Sequence, residues 1–185
     1  MPPVAPMSRL QKSEQRLGER CAVIASMVLA LKPIYDSVET TETQKALLET
    51  VVGAAIWYLY QPRTLWTGRI SEAAHAALPL GNPTRDHEYP RKMAGRELFR
   101  MTEKSISAEA ILNLYLTKFG RFNLVTSDEN KRLVKYQKGD QFVTAEMCYE
   151  SAGIRLMEAA EDPVVKDALA KTRRSRGTTP ERVKN

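Results

Sequence analysis

The residues best equipped for chemistry lie in Thr84-Arg85-Asp86-His87-Glu88-Tyr89-Pro90-Arg91-Lys92, where an acid adjoins a histidine, a proline stops the backbone and two cations follow. An imidazole titrates near neutrality, so next to a carboxylate it can take a proton from water. A second run, Phe122-Asn123-Leu124-Val125-Thr126-Ser127-Asp128-Glu129-Asn130-Lys131, starts as β-type sequence and breaks into helix-capping residues. It predicts a strand feeding a helix N-terminus. Asp86-His87 is equally open to a plainer role, as a turn whose side chain caps a helix start while Arg91 and Lys92 stay exposed.

Helices must position these groups. Leu10, Leu17, Cys21, Ile24, Val28 and Leu31 recur at helical spacing from Ser8 on, and Pro33 is expected to end or kink that helix. A capping stretch at 38–43 then opens a second helix, with Leu47, Leu48, Val51, Val52, Ala55, Ile56 and Leu59 inward, running to about Tyr60. The two pack as an antiparallel hairpin. Trp57, Tyr58 and Tyr60 could stack on bases, but aromatics at helical spacing beside Leu and Val are expected in the core. Residues 91–102 predict a helix with Met93, Leu98, Phe99 and Met101 inward and a basic face of Arg91, Lys92, Arg96 and Arg100 outward. Ser105 or Ser107 caps the next helix, which stops near Gly120, and Ser127 caps another that ends at about Tyr136. A segment at 143–161 is broken at Gly153, and Asp162-Pro163 starts a last amphipathic turn or two.

The expected fold is therefore mainly α, an α+β helical bundle with an N-terminal helical hairpin and a two- or three-stranded sheet near 84–90 and 121–126. The expected organisation is a flexible 1–7, a single globular domain at 8–170 (hairpin 8–61, core with the candidate site 62–170) and a disordered basic tail at 171–185. The chain carries 28 Lys and Arg against 22 Asp and Glu, a net charge of +6. Such a balance favours polyanions, so nucleic acid, DNA or RNA, is the expected partner, held by Arg91, Lys92, Arg96, Arg100 and the tail residues Arg173, Arg174 and Arg176. Cys21 and Cys148 stand far apart and suggest neither a disulfide framework nor a cysteine zinc site. With no signal-like start and no apolar run of membrane-spanning length, a cytoplasmic location and no membrane partner are expected.

Asp86-His87-x-x-Pro90, followed later by Asn123-Leu124-Val125-Thr126 and Asn130, resembles the HNH (ββα-metal) endonuclease superfamily. The resemblance covers about ten residues in two pieces. It implies metal-dependent phosphodiester hydrolysis of DNA or RNA, of a kind found in phage and mobile-element biology. His87 would be the general base and Asn123 the middle residue that pins the loop. Asp86 and Asn130 would hold a divalent ion, magnesium or manganese rather than zinc. Because Asn123 follows His87 by 36 residues, it also implies a helical insertion between the two strands. Asn130 stands where relatives close the site with histidine, and the zinc-binding cysteines of many of them are absent. A second template, the Glu-x-Lys of restriction-type nucleases, fits Glu129 and Lys131 with Asp86 or Glu88 upstream. The non-catalytic alternative is a basic helical protein that binds nucleic acid or a protein partner.

Overall fold

The computed structural model describes residues 9–59, 65–78, 80–138 and 142–175, without the side chains of 9–13 and 171–175. The fold is mainly helical, with one small mixed sheet. It divides into two compact units, each drawn from two stretches of chain. One takes the chain up to Leu65 together with Glu88–Arg121, and the other takes Trp66–His87 together with the chain from Phe122 onward. Among the described residues no helix is long and apolar enough to cross a membrane.

Among the described residues the first unit holds four α-helices: α1 (Arg9–Asp36), α2 (Glu42–Trp57), α4 (Arg91–Arg100) and α5 (Ala108–Leu114), the last continuing as a π-helical turn at Tyr115–Phe119. α1 buries Leu17, Cys21, Ile24, Ala25 and Val28 along one side. It runs three residues past Pro33, because a proline in the last turn forfeits one backbone hydrogen bond and leaves the preceding turns intact. α2 starts with a capping box in which Thr41 Oγ1 accepts from Gln44 N at 3.3 Å and Gln44 Oε1 accepts from Thr41 N at 2.8 Å.

α2 and α4 cross through two glycines. A Cβ on Gly95 would lie 2.0 Å from the Glu49 carbonyl oxygen, and one on Gly53 would lie 2.1 Å from the Arg91 carbonyl oxygen. The backbones themselves are in contact there. Beside the crossing, the Glu49 carboxylate is buried and accepts from Arg96 Nε at 2.8 Å and from the Tyr35 hydroxyl at 2.9 Å, with Lys92 Nζ 3.8 Å away. Tyr35 in turn stacks on Phe99 with ring centroids 4.3 Å apart.

The second unit is built on a sheet of four strands in the order β2-β3-β1-β4: β1 (Trp66–Ser71), β2 (Thr84–His87), β3 (Phe122–Val125) and β4 (Leu156–Glu158). That exceeds the two or three strands expected, with β1 and β4 both new. β1 is parallel to β3, and the other two pairings are antiparallel. Four helices complete the unit: α3 (Glu72–Ala77), α6 (Ser127–Tyr136), α7 (Ala145–Ser151) and α8 (Pro163–Ser175). α8 extends five residues into the stretch expected to be tail, while residues 176–185 and 1–8 lie outside the described residues.

β1 carries a bulge, since Trp66 pairs with Phe122 and Ile70 with Leu124, four steps along one strand against two on the other. Gly68 takes up the slack at φ 91°, a left-handed conformation that a side chain resists, and its carbonyl accepts from Ala159 N at 2.8 Å. Thr126, rather than Ser127, caps α6, because Glu129 reaches back to the Thr126 amide at 2.8 Å while the Thr126 hydroxyl accepts from Glu129 N at 3.1 Å. The same carboxylate accepts from the Ser71 hydroxyl, 2.6 Å away, and Ser71 caps α3. One buried acid therefore joins two helix starts.

Both cysteines are buried and unbridged. Burial pushes the Cys21 thiol up to about 11, and burial followed by the nearby Asp86 charge raises that of Cys148. A thiol reacts through its thiolate, so the native protein should be almost silent to a thiol-titrating disulfide reagent at pH 7.5 and release two equivalents once unfolded in denaturant. Rapid native reaction of either cysteine would contradict this burial.

Candidate functional site

β2 and β3 pair antiparallel with Asp86 opposite Asn123 and His87 opposite Phe122. Successive strand residues point to opposite faces of a sheet, so Asp86 and Asn123 share one face while His87 shares the other with Phe122, whose ring lies 6.2 Å from its own. The Arg85 guanidinium also lies over Phe122, at 4.8 Å.

Asp86 is a buried junction. It accepts from the Tyr149 hydroxyl on α7, and Gln137 Nε2 at the end of α6 reaches its two oxygens at 3.2 and 3.3 Å. The same Gln137 nitrogen lies 3.5 Å from the His87 carbonyl. Around this junction Val125, Leu133, Cys148, Tyr149 and Ile154 form an apolar cluster. Asn123 is fully buried and accepts from the Thr67 hydroxyl in the β1 bulge. Asn130 is half-buried one turn into α6, where its amide bonds the Thr126 carbonyl at 3.0 Å.

Of the four residues assigned to a metal nuclease site, the register brings Asp86 and Asn123 together and turns His87 to the opposite face. An acid and a histidine that are consecutive in a strand project from opposite faces of it. The groups around Asp86 are also donors, a phenol and an amide NH₂, whereas a hard cation needs additional oxygen acceptors. As placed, the Tyr149 phenol and the Gln137 amide occupy the Asp86 oxygens. Glu129, the acid of the second template, is consumed by the two helix caps, and Lys131 pairs instead with Asp128 at 3.0 Å. Among the described residues no group of three or more His, Cys, Asp and Glu could hold a metal.

The expected basic face of α4 is half taken up internally. Arg96 and Lys92 turn toward the buried Glu49, because an interior carboxylate requires compensating charge, and Arg91 and Arg100 remain exposed. Arg173 and Arg174 fall in the last turn of α8, where no side chains are described, and Arg176 lies outside the described residues.

The aromatics expected in the core are on the surface. Trp57 is 41% exposed and Tyr58 is 79% exposed at the end of α2, while Tyr60 lies outside the described residues. Trp57 stands one turn beyond Gly53, where the tight helix crossing brings the start of α4 close, and the Arg91 guanidinium covers its ring at 4.5 Å. Arg20 of α1 donates to the Tyr58 carbonyl at 2.6 Å. Trp57 and Arg91 thus form an exposed cation–π pair, and Tyr58 is exposed at the next position. Helical periodicity could have placed it, since Val52, Gly53 and Ile56 define the buried side of α2 and Tyr58 projects from the opposite one.

No family model matches this chain, and no curated protein or solved structure does either.

Proposed function

We propose that this protein binds single-stranded nucleic acid without cleaving it. The observation that carries the reading is the exposed Trp57 ring beneath the Arg91 guanidinium, with Tyr58 exposed at the next position. Unpaired bases present free π-faces, and stacking on an aromatic side chain is worth about 1–3 kcal/mol per base. A duplex hides those faces inside its stack. The charge distribution supports the same partner, because the last 15 residues hold six cations against one anion and so carry five of the six net positive charges. A basic segment of that kind adds affinity that is indifferent to sequence.

Fluorescence anisotropy with labelled oligonucleotides tests this. Single strands should bind more tightly than duplexes of equal length, with log affinity falling against log salt by about 0.7 per phosphate contacted. Trp57→Ala and Arg91→Ala should each weaken single-strand binding roughly tenfold, the equivalent of about 1.4 kcal/mol. Equal binding of duplex and single strand, or full affinity in both variants, would refute it. Added magnesium or manganese should leave the oligonucleotide intact, and cleavage lost on His87→Ala would restore the nuclease reading.

A further inference from the structure

The sheet of the second unit has two unlike edges. At the β2 edge the His87 carbonyl turns outward, and Gln137 Nε2 from the end of α6 lies 3.5 Å from it. β4 forms the other edge, and among the described residues no strand pairs with its outer side. Its inner side is fixed: Ala159 N donates to the Gly68 carbonyl at 2.8 Å and Glu72 N to the Arg155 carbonyl at 3.0 Å, on either side of the Ile70–Met157 pair. Backbone groups alternate along an antiparallel ladder, so Leu156 and Glu158 each turn an N–H and a C=O away from the sheet. Sheets commonly guard such a row with proline, lysine or a bulge, and β4, though short, has none of these.

A cavity of about 350 Å³ opens beside that edge, walled by Glu146, Tyr149 and Glu150 of α7 and by Arg69, Ile154 and Leu156. Leu156 lies opposite Ser71 and Glu158 opposite Arg69, so Leu156 and Glu158 share the face on which Leu156 packs against the apolar cluster around Tyr149. A side chain of an added strand that lay opposite Leu156 would enter this cavity. Both cations lining it are already matched, Arg69 by Glu146 at 3.7 Å and Arg155 by Glu72 at 2.9 Å. Glu150 and Glu158 are exposed and have no ion-pair partner among the described residues.

We infer that β4 takes up an extended segment of a protein partner as an added antiparallel strand, with basic side chains at the two alternate positions opposite Leu156 and Glu158. In such a pairing main-chain hydrogen bonds supply affinity and the alternate side-chain sites supply specificity. Antiparallel pairing is the stronger per residue, which matters for a strand of three. The two uncompensated acids select the charge of the occupant, and they repel a phosphate backbone. A lysine or arginine opposite Leu156 lays its methylene stem on that side chain and carries its charge to Glu150. The edge belongs to the second unit, and this pairing does not depend on the aromatic surface proposed for nucleic acid.

A labelled short peptide alternating valine and lysine, titrated with the full chain and read by anisotropy, should bind saturably at micromolar concentrations, and a valine–glutamate peptide should not. The chain carries a net charge of +6, so overall attraction does not favour the basic peptide. Glu158→Pro removes one outward N–H without costing a ladder bond and should weaken binding about tenfold, whereas Glu158→Gln, which removes only the charge, should weaken it less. Glu150→Lys should also weaken it about tenfold. All three positions are exposed, so the circular dichroism spectrum should not change. The peptide gives a check that leaves the protein untouched: methylating the lysine amides, which face β4, should abolish binding, and methylating the valine amides, which face solvent, should not. Absence of binding, equal binding of the acidic peptide, or indifference to lysine-amide methylation would each overturn the proposal.

Discussion

Asp86→Ala should lower the unfolding free energy by about 3 kcal/mol, and an excess of magnesium or manganese should not restore it. The substitution strips the acceptor from the Tyr149 hydroxyl and the Gln137 amide inside an apolar cluster, and each buried donor left without a partner costs about 1–3 kcal/mol. Asp86→Asn keeps the shape and one acceptor, so its cost should be nearer 1 kcal/mol. A double-mutant cycle with Tyr149→Phe should show the two losses to be strongly non-additive, as expected for partners in one hydrogen bond. Urea titration gives all of these numbers. A variant as stable as the wild type that had lost metal affinity would return Asp86 to a catalytic role.

Gly95→Ala should be at least as damaging, at about 3 kcal/mol or more, although alanine is the better helix former by about 1 kcal/mol. The new methyl group would sit 2.0 Å from a backbone oxygen of α2, and no rotamer moves a Cβ. α2 and α4 would have to separate, which weakens the packing of both and pulls Arg96 away from Glu49. Gly53→Ala should behave in the same way from the other side of the crossing. Gly18, whose Cβ would meet nothing within 4 Å, is the control, and alanine there should leave stability unchanged or slightly raised. Thermal unfolding of the three variants side by side decides the matter.

Where a residue's role is local, the sequence was a good guide. The helical hairpin, the start of α4 after Pro90, the Ser107 cap and the strand Phe122–Val125 all follow from spacing, caps and breakers. β1 and β4 were less accessible, because Gly68 interrupts the alternation of Trp66–Ser71 and β4 is only three residues long. The candidate site was legible in composition but not in geometry. Adjacent Asp86 and His87 look like one reactive pair on paper, and the pleat of the strand sends them to opposite faces. Glu49 shows the same limit, since nothing in Leu47-Leu48-Glu49-Thr50-Val51 announces that this acid is interior and recruits two of the four cations on α4. Trp57 and Tyr58 fail as core residues because the inward face expected for α2 was drawn too broadly: Leu47 and Val51 are themselves exposed, and the narrower side of Val52, Gly53 and Ile56 is buried.

Because each unit is sewn from two separated stretches, the ribosome delivers the parts in an awkward order. Gly53 emerges 42 residues before its partner Gly95, and Ile70 emerges 54 residues before Leu124. At about 5–20 residues per second, these partners wait roughly 2–11 s for one another. For that interval α1 and α2 lack the rest of their bundle in the nascent chain, and the side of α1 that α5 covers is bare. Long-range closures of this sort also slow folding after release, since the loop entropy is lost before any contact rewards it. A chain halted before Gly95 would complete neither unit, and the piece left behind would be among the stickiest this sequence can make.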